Sequence, residues 1–347
     1  MKRQILFQMT SIILFYFYSN IIPQTVAAKY SGEFMSIGVG ARALGMGGAY
    51  AAVGNDITSS YWNPSSLTQI NYPQLAFMHS EHLGNLANYN YAAIALPFNE
   101  DYTFSLSVIR LAIDDIPDTR NALINRETGQ VIYDLFDPLA QFDYSRIKYF
   151  NSDEYAFYIS GAKKINEKIS LGINAKIIYK NIANYSATGI GFDVSGLYFI
   201  YDNLFLAANL QDITTTLVAW ETGRNELITP TLKTGVAYIA SIQSFYLLPA
   251  VDLDIRFENR RSSAQFNWGP ISYDFRAGLE LSYNNLVALR IGYSDVKQIT
   301  FGAGVKLPKL NIDYSFAAFT AKKSESLPDS HRLSFILTLE ENKYKRK

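Results

Sequence analysis

The stretch from Tyr273 to Tyr283 limits the possible folds more than any other part of this chain. Tyr273, Phe275, Ala277, Leu279, Leu281 and Tyr283 alternate with Asp274, Arg276, Gly278, Glu280 and Ser282. A period of two puts the first set on one face of a β-strand and the second set on the other. The apolar face begins and ends on tyrosine. Its ten steps rise about 33 Å, or about 24 Å along a membrane normal at 45° tilt, close to the apolar band of a transmembrane barrel with aromatic girdles at both edges.

The same alternation recurs along the chain. Ile169, Leu171, Ile173, Ala175, Ile177 and Tyr179 oppose Ser170, Gly172, Asn174 and Lys176. Val287, Leu289, Ile291 and Tyr293 oppose Ala288, Arg290 and Gly292, and Leu333, Phe335 and Leu337 oppose Arg332 and Ser334. It predicts strands over 74–81, 88–97, 102–112, 154–164, 168–180, 188–200, 203–211, 231–241, 245–257, 272–283, 286–294, 298–307, 309–319 and 331–340. The alternation is weakest in the second and fourth of these. After the N-terminal region no segment is apolar for the twenty or so residues a helix needs to span a bilayer. A membrane protein built this way must be a closed barrel, which satisfies every backbone group internally. The expected fold is all-β: a 14-stranded antiparallel transmembrane β-barrel with an N-terminal glycine-rich plug, or hatch.

The links support this reading. Asn99-Glu100-Asp101, Ile165-Asn166-Glu167, Tyr201-Asp202-Asn203, Gln243-Ser244, Asn284-Asn285 and Pro308 are tight. They alternate with links over 82–87, 113–153, 181–187, 212–230, 258–271, 295–297 and 320–330, as expected for short turns at one rim and extended loops at the other. The 113–153 link carries Leu123, Ile124, Val131, Ile132, Leu135, Phe136, Leu139, Phe142, Ile147 and Phe150, too apolar a set for a disordered loop. It is expected to fold over the barrel mouth or to meet a partner.

The domain plan follows. Residues 1–28 read as an export signal: Lys2 and Arg3 precede an apolar run, and Val26-Ala27-Ala28 offers a cleavage site. Residues 29–72 form the plug, 73–340 the barrel and 341–347 a charged tail. The plug stretch holds Gly38, Gly40, Gly45, Gly47, Gly48 and Gly54, and ends on Trp62-Asn63-Pro64-Ser65. Asn63 suits a helix N-cap and Pro64 the first helical position. Fourteen strands enclose a lumen that something must fill. The wall facing it is expected to carry Asp252, Asp254, Asp274, Glu280, Asp313 and Glu340 against Arg256, Arg276, Arg290, Lys306 and Arg332, with Arg42 of the plug among their partners. Charges this closely balanced read as a neutralising seat rather than an ion-selective path.

Several functions are disfavoured. Equal numbers of basic and acidic residues, 31 each, give no reason to expect nucleic acid. There are no cysteines, hence no disulfides and no thiolate metal sites. The glycine stretch lacks a third fingerprint glycine and a Gly-Lys-Ser/Thr ending, so no phosphate cradle and no cofactor is expected. His79-Ser80-Glu81-His82 is the only cluster with a catalytic look, and the nucleophile and zinc motifs of hydrolases are missing. No enzyme is expected.

Residues 40–56, GARALGMGGAYAAVGND, followed by Tyr61-Trp62-Asn63-Pro64-Ser65, resemble the start of the PorV/PorQ family. That resemblance implies an outer-membrane barrel similar in architecture to the FadL fatty-acid transporters, with an N-terminal hatch. FadL-like barrels carry an Asn-Pro-Ala motif in the hatch; here serine replaces the alanine. Arg42, Gly45, Gly47, Gly48, Asn55, Asp56, Trp62, Asn63 and Pro64 are the hatch residues it points to. It further implies a role in type IX secretion, binding and shuttling secreted cargo with C-terminal signal domains. The partners would be outer-membrane lipid, secreted proteins and secretion-machinery components. The alternative expectation is a FadL-like passive transporter of hydrophobic small molecules. Many outer-membrane barrels end on an aromatic residue, whereas this chain continues through Glu341 to Lys347.

Overall fold

The computed structural model describes residues 32–82, 86–319 and 330–346. The predicted export signal and most of the 320–330 link lie outside them. Fourteen strands form one antiparallel barrel: β1 Gln74–His82, β2 Ala87–Pro97, β3 Tyr102–Asp118, β4 Lys148–Lys164, β5 Ile169–Ile182, β6 Tyr185–Tyr201, β7 Leu204–Gln211, β8 Thr231–Tyr238, β9 Phe245–Arg256, β10 Ile271–Tyr283, β11 Val287–Tyr293, β12 Gln298–Lys306, β13 Leu310–Phe319 and β14 Ser330–Thr338. Each pairs with its neighbours in sequence. β1 also pairs with β14, from Gln74 opposite Thr338 to Glu81 opposite His331, which closes the cylinder. No open edge remains in the barrel wall, as a lipid environment requires.

Alternation sorts the two faces. Phe77, Phe104, Leu106, Ile173, Ile190, Leu289 and Phe301 are exposed on the outside. An apolar surface this extensive, encircling the barrel, suits lipid rather than water. Phe98, Tyr201, Phe245 and Tyr283 gather at the short-turn rim, where Phe245 and Tyr283 sit 5.0 Å apart between ring centres. Facing inward are Asp274, Arg276 and Glu280 of β10, all buried. The weak alternation of β2 and β4 has a cause inside: Tyr89, Tyr91 and Tyr158 point into the lumen and are buried there. On that side of the barrel the lumen is lined by aromatic and small residues instead of charges.

Several links differ from expectation, the 212–230 link among them, where Thr216–Trp220 pairs with Asn225–Ile228 and with residues 187–190 of β6. The 181–187 link is a turn of only Ala183 and Asn184, because β5 and β6 stay paired out to Ile182 and Tyr185. The 113–153 link is shorter as a loop, since β3 and β4 continue to pair as far as Asp118 and Lys148. At 17 residues each, these strands span about 40 Å of membrane normal at 45° tilt, some 15 Å more than the apolar band. The hairpin therefore stands well beyond the membrane. At its tip Leu123–Asn125 pairs with Ala140–Phe142, and Tyr133 and Phe136 are 87% and 91% exposed.

Residues from Phe34 to Leu67 are almost entirely buried, and they lie within the barrel. They form short helices over Glu33–Ser36, Ala41–Gly45 and Ser59–Trp62, then a 3-10 turn over Pro64–Gln69. The tail after β14 is no free extension. Arg346 returns to the short-turn rim, where its guanidinium donates to the carbonyls of Ile70, Asn99 and Glu100 and to the Thr103 hydroxyl. It pins the place where the inner segment leaves the lumen.

Segment and wall meet backbone to backbone. A Cβ on Gly172 of β5 would lie 2.2 Å from the amide nitrogen of Ser65. On Gly161 of β4 the nearest atoms would be at 3.7 Å, an ordinary contact. Gly172→Ala should therefore cost about 3 kcal/mol by overpacking, and Gly161→Ala within about 0.5 kcal/mol. Urea unfolding of both variants in lipid vesicles checks the contrast.

Candidate functional site

The site is the contact between the inner segment and the lumen wall, which brings together most of the residues named from sequence. Its centre is Arg42. In the Ala41–Gly45 helix its guanidinium donates to both oxygens of Glu280 at 2.8 Å and to Asn55 Oδ1 at 2.7 Å. It lies 3.5 Å from Asp56 and 5.6 Å from the Tyr50 ring centre. Glu280 is shared with Arg290 at 2.6 Å, and Arg290 reaches Asp313 at 2.7 Å. A bidentate guanidinium–carboxylate pair of this kind fixes geometry as well as charge.

Asp56 organises the loop around Arg42. One oxygen accepts from the amide of Thr58, the other from the Tyr50 hydroxyl at 2.7 Å. Gly45 lies against Gly302, and Gly47 (φ 69°) against the backbone of Tyr293. Gly48 sits below Trp62 and Arg276. Trp62 donates to the Val39 carbonyl at 2.8 Å, and Lys233 and Arg276 stand 5.5 and 5.9 Å from its ring. Asn63 ties two turns together: its Oδ1 accepts from the Ser65 amide and hydroxyl while its Nδ2 donates to the Ala51 carbonyl at 2.9 Å. It is the cap expected from sequence, with Pro64 starting a 3-10 turn.

A second charged layer faces the long-loop side. Arg276 holds Asp254 at 3.1 Å and Asp295 at 2.8 Å. Asp274 accepts from Arg260 at 2.7 Å, and Arg256 stands 3.7 Å away. Burial alone would raise the Asp295 carboxyl, but Arg276, Arg256 and Lys233 overcome it and hold it well below the ordinary range. Asp252 instead binds the inner segment's backbone, accepting from the amides of Tyr50 and Ala51, both at 2.8 Å.

Two residues expected on the wall stand at its end: Lys306 is the last residue of β12 and Glu340 lies beyond β14, so both are at the short-turn rim, where they border the larger vestibule. Arg332 does face inward and is buried. The alternation set Lys176 on the polar face, but the sequence reading did not count it among the lumen charges; it holds Asp193 at 2.8 Å and Asp212 at 2.6 Å. Asp193 and Lys233 were missed, although both sit at inward strand positions where the alternation could have found them. Asp295 and Asp212 lie in links, where it gives no signal. His79 and His82 go to separate partners, Asn90 and Ser80.

The inner segment separates two vestibules. One of about 70 Å³ opens toward the long loops and is bounded by Met35, Tyr61, Tyr158, Lys176, Lys233 and Ile228. The other, about 340 Å³, opens toward the short turns and reaches Arg42, Asp56 and Glu280.

This architecture has known counterparts. The toluene transporter TodX of P. putida aligns over 88% of this chain and 99% of its own, with a TM-score of 0.57 and 11% identity. The toluene transporter TbuX of Ralstonia pickettii aligns over 87% and 98%, with a TM-score of 0.53 and 12% identity. The chain shares their fold. At such identity the likeness to TodX and TbuX is one of architecture and does not extend to particular residues. No protein-family model and no curated protein matches the sequence.

Removing Arg42 takes one of the two cations from buried Glu280, leaving Arg290, and takes the cation from Asp56 and the donor from Asn55. Arg42→Met should destabilise the barrel by about 3 kcal/mol. The same change made together with Glu280→Met should cost less than the two single losses added. A double-mutant cycle by urea unfolding in lipid vesicles measures that coupling; additive losses would mean the pair contributes nothing.

Proposed function

We propose that the protein is an outer-membrane channel for hydrophobic small molecules, with residues 33–70 as its gate. One observation carries this reading: the two vestibules are separated by a segment that, among the described residues, no backbone-to-backbone hydrogen bond ties to the strands. Among the described residues its hydrogen bonds to the wall all involve a wall side chain or one of its own. They include Asp252 to the amides of Tyr50 and Ala51, Thr300 to the Gly45 carbonyl and Asn209 to the Trp62 carbonyl. No ladder of backbone bonds would have to break for it to move. The vestibule on the long-loop side is bounded by Met35, Tyr61, Tyr158 and Ile228 on its apolar part and by Lys176, Lys233, Arg256 and Glu258 on its charged part. The apolar outer face and the fold shared with toluene transporters support the same reading.

A second reading has its own observation. Tyr133, Phe136 and Tyr144 are exposed on a hairpin that stands clear of the membrane, which suits contact with another protein. The PorV/PorQ resemblance of residues 40–65 names the kind of partner: secreted cargo and its secretion machinery. Under that reading, deleting the gene leaves cargo with C-terminal signals in the periplasm while uptake of hydrophobic compounds is unchanged.

The gate can be tested with a crosslink, since the chain has no cysteine of its own. Ser60 of the inner segment donates to Ser107 of β3, oxygen to oxygen at 3.4 Å. With Ser60→Cys and Ser107→Cys, oxidation should abolish uptake of labelled toluene or a labelled fatty acid into reconstituted vesicles, and reduction should restore it. Equal uptake by the oxidised and reduced forms overturns the gate.

A further inference from the structure

The buried cations of the lumen have carboxylate partners, with one exception among the described residues. Lys176, Lys180, Lys233, Arg276 and Arg290 each face an acid. Arg332 of β14 does not. It is 6% exposed, and its Nε and Nη1 have no hydrogen-bond partner. The ionisable groups that feel its charge are Tyr89 and His82, and no carboxylate among the described residues lies close enough to pair with it.

The register explains what surrounds it. Ser315 of β13 lies opposite Arg332, Arg332 opposite Ser80 of β1, and Ser80 opposite Tyr89 of β2. The four side chains form one inward row across the seam where the barrel closes, and all four are buried. The Ser315 hydroxyl and the Tyr89 phenol also lack partners. Ser80 instead meets His82 Nε2 at 3.0 Å. A guanidinium can only donate, and the free hydroxyls can rotate to donate as well. The row therefore sets donors around one positive charge with no counter-charge. A charge buried in that state is expensive, and water would satisfy its hydrogen bonds without neutralising it.

We propose that this row binds one small monovalent anion of the halide kind as a resident counter-ion of the barrel seam. The charge count favours a monovalent ion: one guanidinium stands among neutral hydroxyls, and no second cation shares the row. The shielding of the donor atoms favours a small one. This site is independent of the transport reading, because its donors belong to the wall and not to the inner segment.

Crystals of the full chain grown in sodium bromide, measured at the bromine absorption edge, test it. The expected result is an anomalous peak within hydrogen-bonding distance of Arg332 Nε that disappears in Arg332→Gln. In lipid vesicles the wild-type urea midpoint should be higher in chloride than in gluconate at equal ionic strength, and the Arg332→Gln midpoint should not distinguish the two salts. Three outcomes overturn the proposal. One is a position that holds only water or a carboxylate of the chain itself. Another is a chloride effect that persists unchanged in Arg332→Gln. The third is bromide that binds with no dependence of stability on the halide, an adventitious ion only.

Discussion

Everything in this molecule follows from the pairing of its first strand with its last. A sheet in lipid cannot leave an edge unpaired, because each exposed backbone group there would cost several kcal/mol. Joining β1 to β14 removes the edges, but fourteen strands then enclose more space than their own inward side chains fill. The chain fills it with residues that precede β1. Glycine is needed on both sides of that contact because the backbones nearly touch: Gly292 of β11 faces Gly47 of the segment, where a Cβ would come within 2.2 Å of the Gly47 nitrogen.

The contact is only partly an ordinary core: one apolar cluster joins Phe34, Met46, Trp62 and Leu67 to Met78, Tyr91, Ile109 and Ile178 of the wall, and polar groups make the rest. The segment meets the wall through Arg42 on Glu280, Asp252 on two amides, and asparagines and serines on its carbonyls and hydroxyls. Such a surface is costly to bury, yet water can satisfy it again if it separates. A well-packed aliphatic interface would hold the segment as firmly and could not be rehydrated so readily. The polar part of the contact is thus the part that a gate of the proposed kind could exchange for water.

Much of this was legible in the chain, and the limits are physical. Strand faces could be read because lipid selects one set and the lumen the other, so Phe275, Leu279 and Leu281 announced their side. Where the lumen takes aromatics the two sets look alike, which is why Tyr89, Tyr91 and Tyr158 blurred β2 and β4. Partners were harder. That Arg42 would meet the wall followed from its place in a segment bound for the lumen. Its choice of Glu280 depends on barrel register and on how the segment turns at Gly47 and Gly48. Asp295 completes the Arg276 cluster from the four-residue link 294–297, where period two has no hold. The alternation of short and long links was legible only in part, because strands that outrun the membrane turn a predicted loop into more strand, as at Ala183 and Asn184.

The two ends of the inner segment are held differently. Its C-terminal end passes directly into β1, and the Arg346 guanidinium fixes it there by bonding the Ile70 carbonyl and, across the rim, those of Asn99 and Glu100. Every nitrogen of that guanidinium has an acceptor close by, so the tail acts as a clamp on the exit. The Glu33–Ser36 helix at the other end buries Phe34 and Met35, with the Lys180 ammonium 5.5 Å from the Phe34 ring. It also borders the vestibule on the long-loop side. Among the described residues no side chain clamps that helix to the rim as Arg346 clamps the other end. Under the proposed gate the two ends face different vestibules: Met35 and Tyr61 border the one on the long-loop side, and the Arg42–Glu280 pair borders the larger one on the short-turn side.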